Sequence, residues 1–99
     1  MAIDAGIYTV YKHTSPNGKI YIGITGRPVE KRWNHGNGYR GNRHFWQAIQ
    51  KYGWQNISHE IIATGLKKEQ ACVLEQQLIS QHKSNDPDYG YNHSNGGEH

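Results

Sequence analysis

Glu75 stands where a carboxylate is expensive. Ala71, Leu74 and Leu78 recur at helical spacing, and Glu75 falls in the same stripe, one turn after Ala71. A carboxylate among core positions must be paired, hydrogen-bonded or bound to a cation, unless it sits at the edge of the stripe and reaches water. Two phenols raise a related question. Gly6-Ile7-Tyr8 and Tyr21-Ile22-Gly23 each place a tyrosine beside an isoleucine and close to a glycine. A strand tyrosine is usually a good pleated-surface residue and no more. The charges lean one way between these features. Eight Lys or Arg residues fall between Lys12 and Lys51, with Glu30 the one acid among them. That is either a footprint for phosphate or a solvated surface.

The elements that must position these residues follow from turn chemistry and periodicity. Ser15-Pro16-Asn17-Gly18 is a turn signal between two runs rich in Ile, Val, Tyr and Thr. A β-hairpin is expected, with strands near 6–13 and 19–25. A four-residue loop would set Thr14 opposite Lys19, so that paired numbers sum to 33. Tyr8, Val10 and Lys12 would then share a face with Tyr21, Gly23 and Thr25, and Gly23 would leave space above the backbone. Ile7, Thr9 and Tyr11 would join Ile20, Ile22 and Ile24 on the core side. Pro28 suits a helix start, and Arg32 projects from the half of that helix that packs. The run 35–42 is glycine-rich and reads as a loop. A second helix is expected over 42–52, with Phe45, Ala48, Ile49 and Tyr52 on one stripe and Gly53 ending it. Residues 57–65 read as a third strand, and Ile61-Ile62 suggests cover on both of its faces. The third helix spans about 67–83, and the turn-rich tail from Ser84 onward would wrap the domain. The fold class is therefore α/β (α+β), a small three-stranded antiparallel sheet flanked by helices, in one domain over 1–99.

The totals bound the function classes. Ninety-nine residues suffice for one modest core, and mean hydropathy is −0.92. No run approaches the roughly 20 apolar residues of a membrane helix, so no membrane partner is expected. No secretion signal opens the chain, and a single cysteine, Cys72, cannot form an internal disulfide, which fits a cytoplasmic setting. The net charge of +3 and pI near 9.1 permit a polyanionic partner. Seven histidines show no zinc spacing, so a structural zinc site is not expected. Trp33, Trp46 and Trp54 read as core residues ahead of base-stacking platforms.

With both tripeptides, an arginine on the following helix, a glutamate on a later one and Gly90-Tyr91-Asn92 near the end, the chain resembles the GIY-YIG nuclease superfamily. The likeness runs from Gly6 to Gly97 and is strongest for homing-endonuclease-like catalytic domains. It implies hydrolysis of a DNA phosphodiester with Mg²⁺ or Mn²⁺. By this resemblance Glu75 is the metal ligand, since Mg²⁺ takes oxygen donors and can rely on one carboxylate with water and phosphate. Arg32 contacts the scissile phosphate with its planar fork. Tyr8 is the general base, needing nearby cations because a free phenol has a pKa of about 10. Tyr21 helps place water or phosphate, and Asn92 supports the site or is simply a turn former. Many family members carry a histidine one helical turn after the arginine. Here position 36 is Gly, so His35 is the candidate, with Tyr39 or His44 as substitutes. Arg40, Arg43 and Lys12 are candidate DNA contacts. Nothing in the sequence fixes monomer or weak dimer. The rival reading is a non-catalytic DNA-binding module that kept the fold.

Overall fold

The computed structural model describes residues 6–93, so residues 94–99 of the expected wrapping tail lie outside the described residues. Strands β1 (Tyr8–Thr14), β2 (Ile20–Thr25) and β3 (Ser58–Leu66) form one antiparallel sheet in the order β2-β1-β3. Helix α1 (Val29–Trp33) follows β2 and gives way to a 3₁₀ segment, Asn34–Tyr39. Helix α2 (Arg43–Tyr52) and helix α3 (Lys68–His82) complete the fold. Among the described residues no helix is long and apolar enough to cross a membrane.

The hairpin register differs by one residue from expectation. Thr14 pairs with Ile20 and Tyr11 with Gly23, so paired numbers sum to 34. The loop holds five residues because Ser15 turns inward instead of extending β1. Its backbone N–H donates to the Lys19 carbonyl at 3.0 Å, and its hydroxyl pairs with the Tyr91 hydroxyl at 2.6 Å. Gly18, at φ 87°, supplies the left-handed step that closes this turn. A one-residue slip exchanges the faces of a strand. Tyr11 and His13 therefore lie with Tyr21 and Gly23, while Val10 and Lys12 lie with Ile20, Ile22 and Ile24.

The sheet is thus packed on both faces. On one, Tyr11 joins Tyr39, Phe45, Ala48, Ile49, Ile57 and Tyr91 in a mainly aromatic cluster. Tyr21 stacks on Phe45 at 5.1 Å with an 8° interplanar angle, and Tyr39 meets Phe45 edge-on at 4.8 Å. Such pairs add about 0.5–1.5 kcal/mol each beyond the area they bury. On the other face, Val10, Ile22 and Ile24 pack against Ala71 and Ile79 of α3. Strand β3 is less covered than its Ile-Ile pair suggested. Ile62 packs inward, but Ile61 is 44% exposed, because β3 is an edge strand with an irregular register near Gly65.

The outer edge of β2 is closed by the chain's last described stretch. Ile20 and Gly90 form a parallel bridge, with Tyr91 N–H donating to the Ile20 carbonyl at 2.9 Å. Asn92 continues it with its side chain. Its Oδ1 accepts from Ile22 N–H at 2.9 Å and from the Ser84 hydroxyl at 2.7 Å, and its Nδ2 donates to the Ile22 carbonyl at 2.8 Å. One amide thus replaces a strand partner at the residue between Tyr21 and Gly23.

Candidate active site

Tyr11 lies across Gly23 so closely that any side chain there would collide with it. A Cβ built on Gly23 would fall 2.5 Å from both Cζ and Oη of Tyr11. The glycine lets the phenol lie across β2, where it forms a rim on the aromatic face of the sheet. Gly23→Ala is expected to push Tyr11 aside and destabilise the fold by about 1–3 kcal/mol, the usual cost of overpacking. Urea unfolding beside the parent protein measures it, and an unchanged midpoint would show that Tyr11 yields freely.

Arg32 anchors the next part of the rim. Its Nη1 donates to the Gly38 carbonyl at 2.7 Å, and its guanidinium lies over the Tyr39 ring, 4.6 Å from the centroid. Burial works against the arginine charge, but the phenols of Tyr11, Tyr39 and Tyr21 outweigh that and raise its pKa. Burial raises Tyr11, Tyr21 and Tyr39 in turn, with Arg32 opposing. These three phenols hold their protons and serve as hydrogen-bond donors and acceptors.

Glu75 lies on the other side of the sheet. It is buried on the inner face of α3, between Ala71 and Ile79. Its charge raises both Tyr11 and Tyr21, so carboxylate and guanidinium act on the same two phenols. Among the described residues no three His, Cys, Asp or Glu side chains gather into a metal cluster. A single buried carboxylate suits a hard cation that takes its other oxygens from water and phosphate. It does not suit zinc, which wants several nitrogen or sulfur ligands.

The other sequence candidates occupy varied places. Tyr8 lies on the α3 face, half-buried against the Val10, Ile22 and Ala71 cluster, with its ring beside Gly26. Tyr8 and Tyr21 therefore stand on opposite faces of the hairpin, where the four-residue loop would have put them together. His35 is exposed at φ 56°, where the chain breaks after α1, and lines a hollow with Glu30, Trp33 and Trp54. Asn92 has its amide engaged with β2. Lys12 pairs with Glu60 at 3.4 Å. Arg40 donates to Asn37 Oδ1 at 3.3 Å and lies 5.4 Å from the Trp46 ring, while Arg43 opens α2 in solvent. His44, partly exposed on α2, is lowered by burial and by its neighbours Lys19 and His93.

Sequence reasoning did not single out Tyr11, His13 and His59. His13 is fully buried in an aromatic cage with Tyr11, Trp33, Tyr39, Phe45 and Trp54 around it. Its Nε2 lies 2.8 Å from the Tyr39 hydroxyl and its Nδ1 2.8 Å from His59 Nδ1. Burial, then His59 and Arg32, lowers its pKa to about 2. The unfolded chain takes up that proton near the ordinary value of about 6.5, whereas the folded chain resists it. Folding stability is therefore fully present above that value and falls as the pH drops from there toward 2. The slope approaches about 1.4 kcal/mol per pH unit, and His59, lowered mainly by burial, adds in the same direction. Urea midpoints between pH 7 and pH 4 test this, and His13→Phe should flatten the slope.

The comparisons with known proteins give the family and the fold. The family model of the GIY-YIG catalytic domain matches residues 5–92. The chain belongs to the GIY-YIG endonuclease family. It is 37% identical over 93 residues to segB of Enterobacteria phage T4, a protein named provisionally as an endonuclease. That match covers 92% of this chain and 39% of the phage protein, so the chain spans about two-fifths of its relative's length. Among solved structures, a mutant of the catalytic domain of intron endonuclease I-TevI superposes with a TM-score of 0.71. The two share 20% identity, over 89% of this chain and 95% of that one. The GIY-YIG fold, a three-stranded antiparallel sheet with helices, is thus the one expected from the sequence.

Proposed function

We propose that this GIY-YIG domain hydrolyses a phosphodiester bond of DNA with the help of a divalent cation, Mg²⁺ or Mn²⁺. One observation carries the reading: in a chain of this family Arg32 is held in place by the Gly38 carbonyl and the Tyr39 ring, and Glu75 is a carboxylate buried on the inner face of α3. A phosphate docked at these groups would meet a fixed positive fork and a carboxylate able to hold a cation. Phosphoryl transfer asks chiefly for positioning and charge stabilisation, which is what rigid groups of this kind supply. The bound cation, held by Glu75, would stabilise charge on the phosphate and on the leaving oxygen.

The residues divide the remaining work. Arg32 takes the phosphate oxygens, and its bond to Gly38 and its seat on Tyr39 keep the fork in place. Tyr21 donates to water or phosphate. Asn92 pins β2 so that Tyr21 and Gly23 keep their height at the rim. A water attacks phosphorus as its proton passes to a base, and the bond to the leaving oxygen breaks. Burial keeps Tyr11, Tyr21 and Tyr39 protonated, which suits them to donate and not to accept a proton. The base is assigned to Tyr8, as the family resemblance implies; it lies on the α3 face of the sheet, the face that Glu75 also meets. His35, Arg40, Arg43 and Lys12 would lie along the DNA path, with Lys12 exchanging Glu60 for a phosphate. A monomer would cut one strand at a time.

A supercoiled-plasmid assay with Mg²⁺ or Mn²⁺ tests the reading. The parent should yield nicked circles, and Tyr8→Phe should lose roughly 10²–10⁴-fold, the range for a general base. Full activity in Tyr8→Phe would move the proton to another acceptor. A parent that shifts DNA on a gel without nicking it under either metal would make the domain a DNA-binding module.

A further inference from the structure

Helix α2 turns one side toward the hairpin loop. His44, Gln47, Ala48 and Lys51 recur at helical spacing along that side, and Asn17 stands opposite them in the loop between β1 and β2. With Tyr52 and Tyr91 they line a hollow of about 160 Å³. Tyr91 is buried, and its ring meets His44 edge-on at 4.7 Å. The hydrolytic site proposed above uses none of these side chains.

The polar groups around the hollow are chiefly donors. Asn17 turns its amide oxygen into the loop, where it accepts from the Ser15 hydroxyl and from Lys19 N–H at 3.0 Å. Its amide nitrogen has no partner among the described residues. Gln47, His44 and Lys51 likewise make no hydrogen bond or ion pair among the described residues, and Lys51 rests 5.2 Å from the centre of the Tyr52 ring. No carboxylate lines the hollow. An ammonium, an imidazole and two amides that converge without an acid call for an acceptor that carries negative charge.

We propose that this hollow is a second phosphate site, holding a phosphate of the DNA backbone away from the scissile one, with Lys51 as its cation and Asn17, His44 and Gln47 as its donors. Phosphate oxygens only accept, which matches the lining. A nucleobase matches it less well. Tyr91 is buried and Lys51 covers the Tyr52 ring, so neither ring lies open for a base to stack on.

The fold ties the hollow to the hydrolytic site. Tyr91 stands between Gly90, which bridges Ile20, and Asn92, whose amide holds Ile22. Ala48 and Tyr91 belong to the same aromatic cluster as Tyr39, on which Arg32 lies. Arg43 is one helical turn before Gln47, beside the hollow. A DNA strand running along α2 would therefore meet Arg32 and the hollow on one side of the sheet. Phosphate contacts of this kind carry no sequence information but fix the register of the duplex, here over the cutting site. The proposal rests on the nuclease reading only in taking DNA as the ligand.

Fluorescence anisotropy of a labelled duplex, titrated without divalent metal so that no strand is cut, tests it. Gln47→Glu sets a carboxylate in the hollow, one turn from Lys51, while Gln50→Glu adds the same charge outside it. Both glutamines are exposed, so both variants should fold. Gln47→Glu should weaken binding roughly tenfold and Gln50→Glu less than about twofold. Lys51→Gln should make the salt dependence of the affinity shallower by about 0.9 in log–log slope, the share of one phosphate contact. Equal losses in the two glutamate variants, or an unchanged slope in Lys51→Gln, would overturn the proposal, as would a parent without affinity for DNA at low salt. Inorganic phosphate is the second probe. If it shifts the Asn17 and Gln47 side-chain NMR signals while DNA binding ignores Gln47→Glu, the hollow takes a small free anion and the DNA assignment falls. A parent that binds DNA but nicks none would count against the nuclease reading and leave the comparison of variants standing.

Discussion

Replacing Glu75 with glutamine should abolish DNA nicking while leaving the fold intact or tightening it. Glutamine matches the shape of glutamate and lacks only the charge. Loss of a supporting partner of a metal ligand already costs roughly 10–100-fold, so loss of the one carboxylate proposed as ligand should cost about a thousandfold or more. Stability should move the other way. Glu75 is 2% exposed, on the inner face of α3 beside Ala71 and Ile79. Burying an amide costs less than burying a carboxylate, so the variant should unfold at the same urea concentration or a higher one. A site residue that raises stability when removed is the signature of a group kept for chemistry. The measurement is nicked plasmid over time with Mg²⁺ and Mn²⁺, beside a urea curve. Glu75→Gln that nicks at the parent's rate would remove the metal assignment. A variant that unfolds would show instead that Glu75 is a structural carboxylate.

Much of this arrangement was legible from residue types and spacing. The Ser15-Pro16-Asn17-Gly18 turn announced the hairpin, Pro28 and the Val29, Arg32 spacing announced α1, and Ala71, Leu74 and Leu78 announced α3 with Glu75 on its buried face. The site was less legible because a strand's faces hang on a single residue of register. Whether the loop takes four residues or five depends on Ser15, and Ser15 is held inward by Tyr91, 76 residues away along the chain. No local rule carries that information. Once Thr14 faces Ile20, the alternation of Tyr11 and His13 against Tyr21 and Gly23 becomes visible, and with it the aromatic face. Tyr39 stood among the candidates, but its place beneath Arg32 was hidden for a similar reason. Its segment reads as a glycine-rich loop, yet left-handed Asn34 and His35 and a positive-φ Gly36 fold it back so that Tyr39 lands beneath Arg32. Asn92 was legible as a site neighbour but not as a strand partner, since its bonds reach Ile22 across 70 residues.

Arg32→Ala should lower the nicking rate by about 10²–10³-fold, the usual cost of removing one fixed donor from a developing negative charge. Arg32→Lys should recover only part of that loss, because an ammonium keeps the charge but not the two-toothed fork. The structure adds a second cost that separates this site from a surface arginine. The guanidinium holds the Gly38 carbonyl and caps the Tyr39 ring, so removing it loosens the segment that carries Tyr39. Alanine should therefore cost roughly 1–3 kcal/mol of stability as well, by leaving the Gly38 carbonyl without its charged donor. The two effects can be parted by temperature and by substrate. Nicking measured well below the unfolding transition reports the chemistry, and gel-shift affinity reports the ground state. A fork that works on the transition state lowers the rate far more than the affinity. If Arg32→Ala weakens binding and rate in equal proportion, Arg32 serves only to hold DNA, and the charge that speeds the reaction must come from another side chain at the rim.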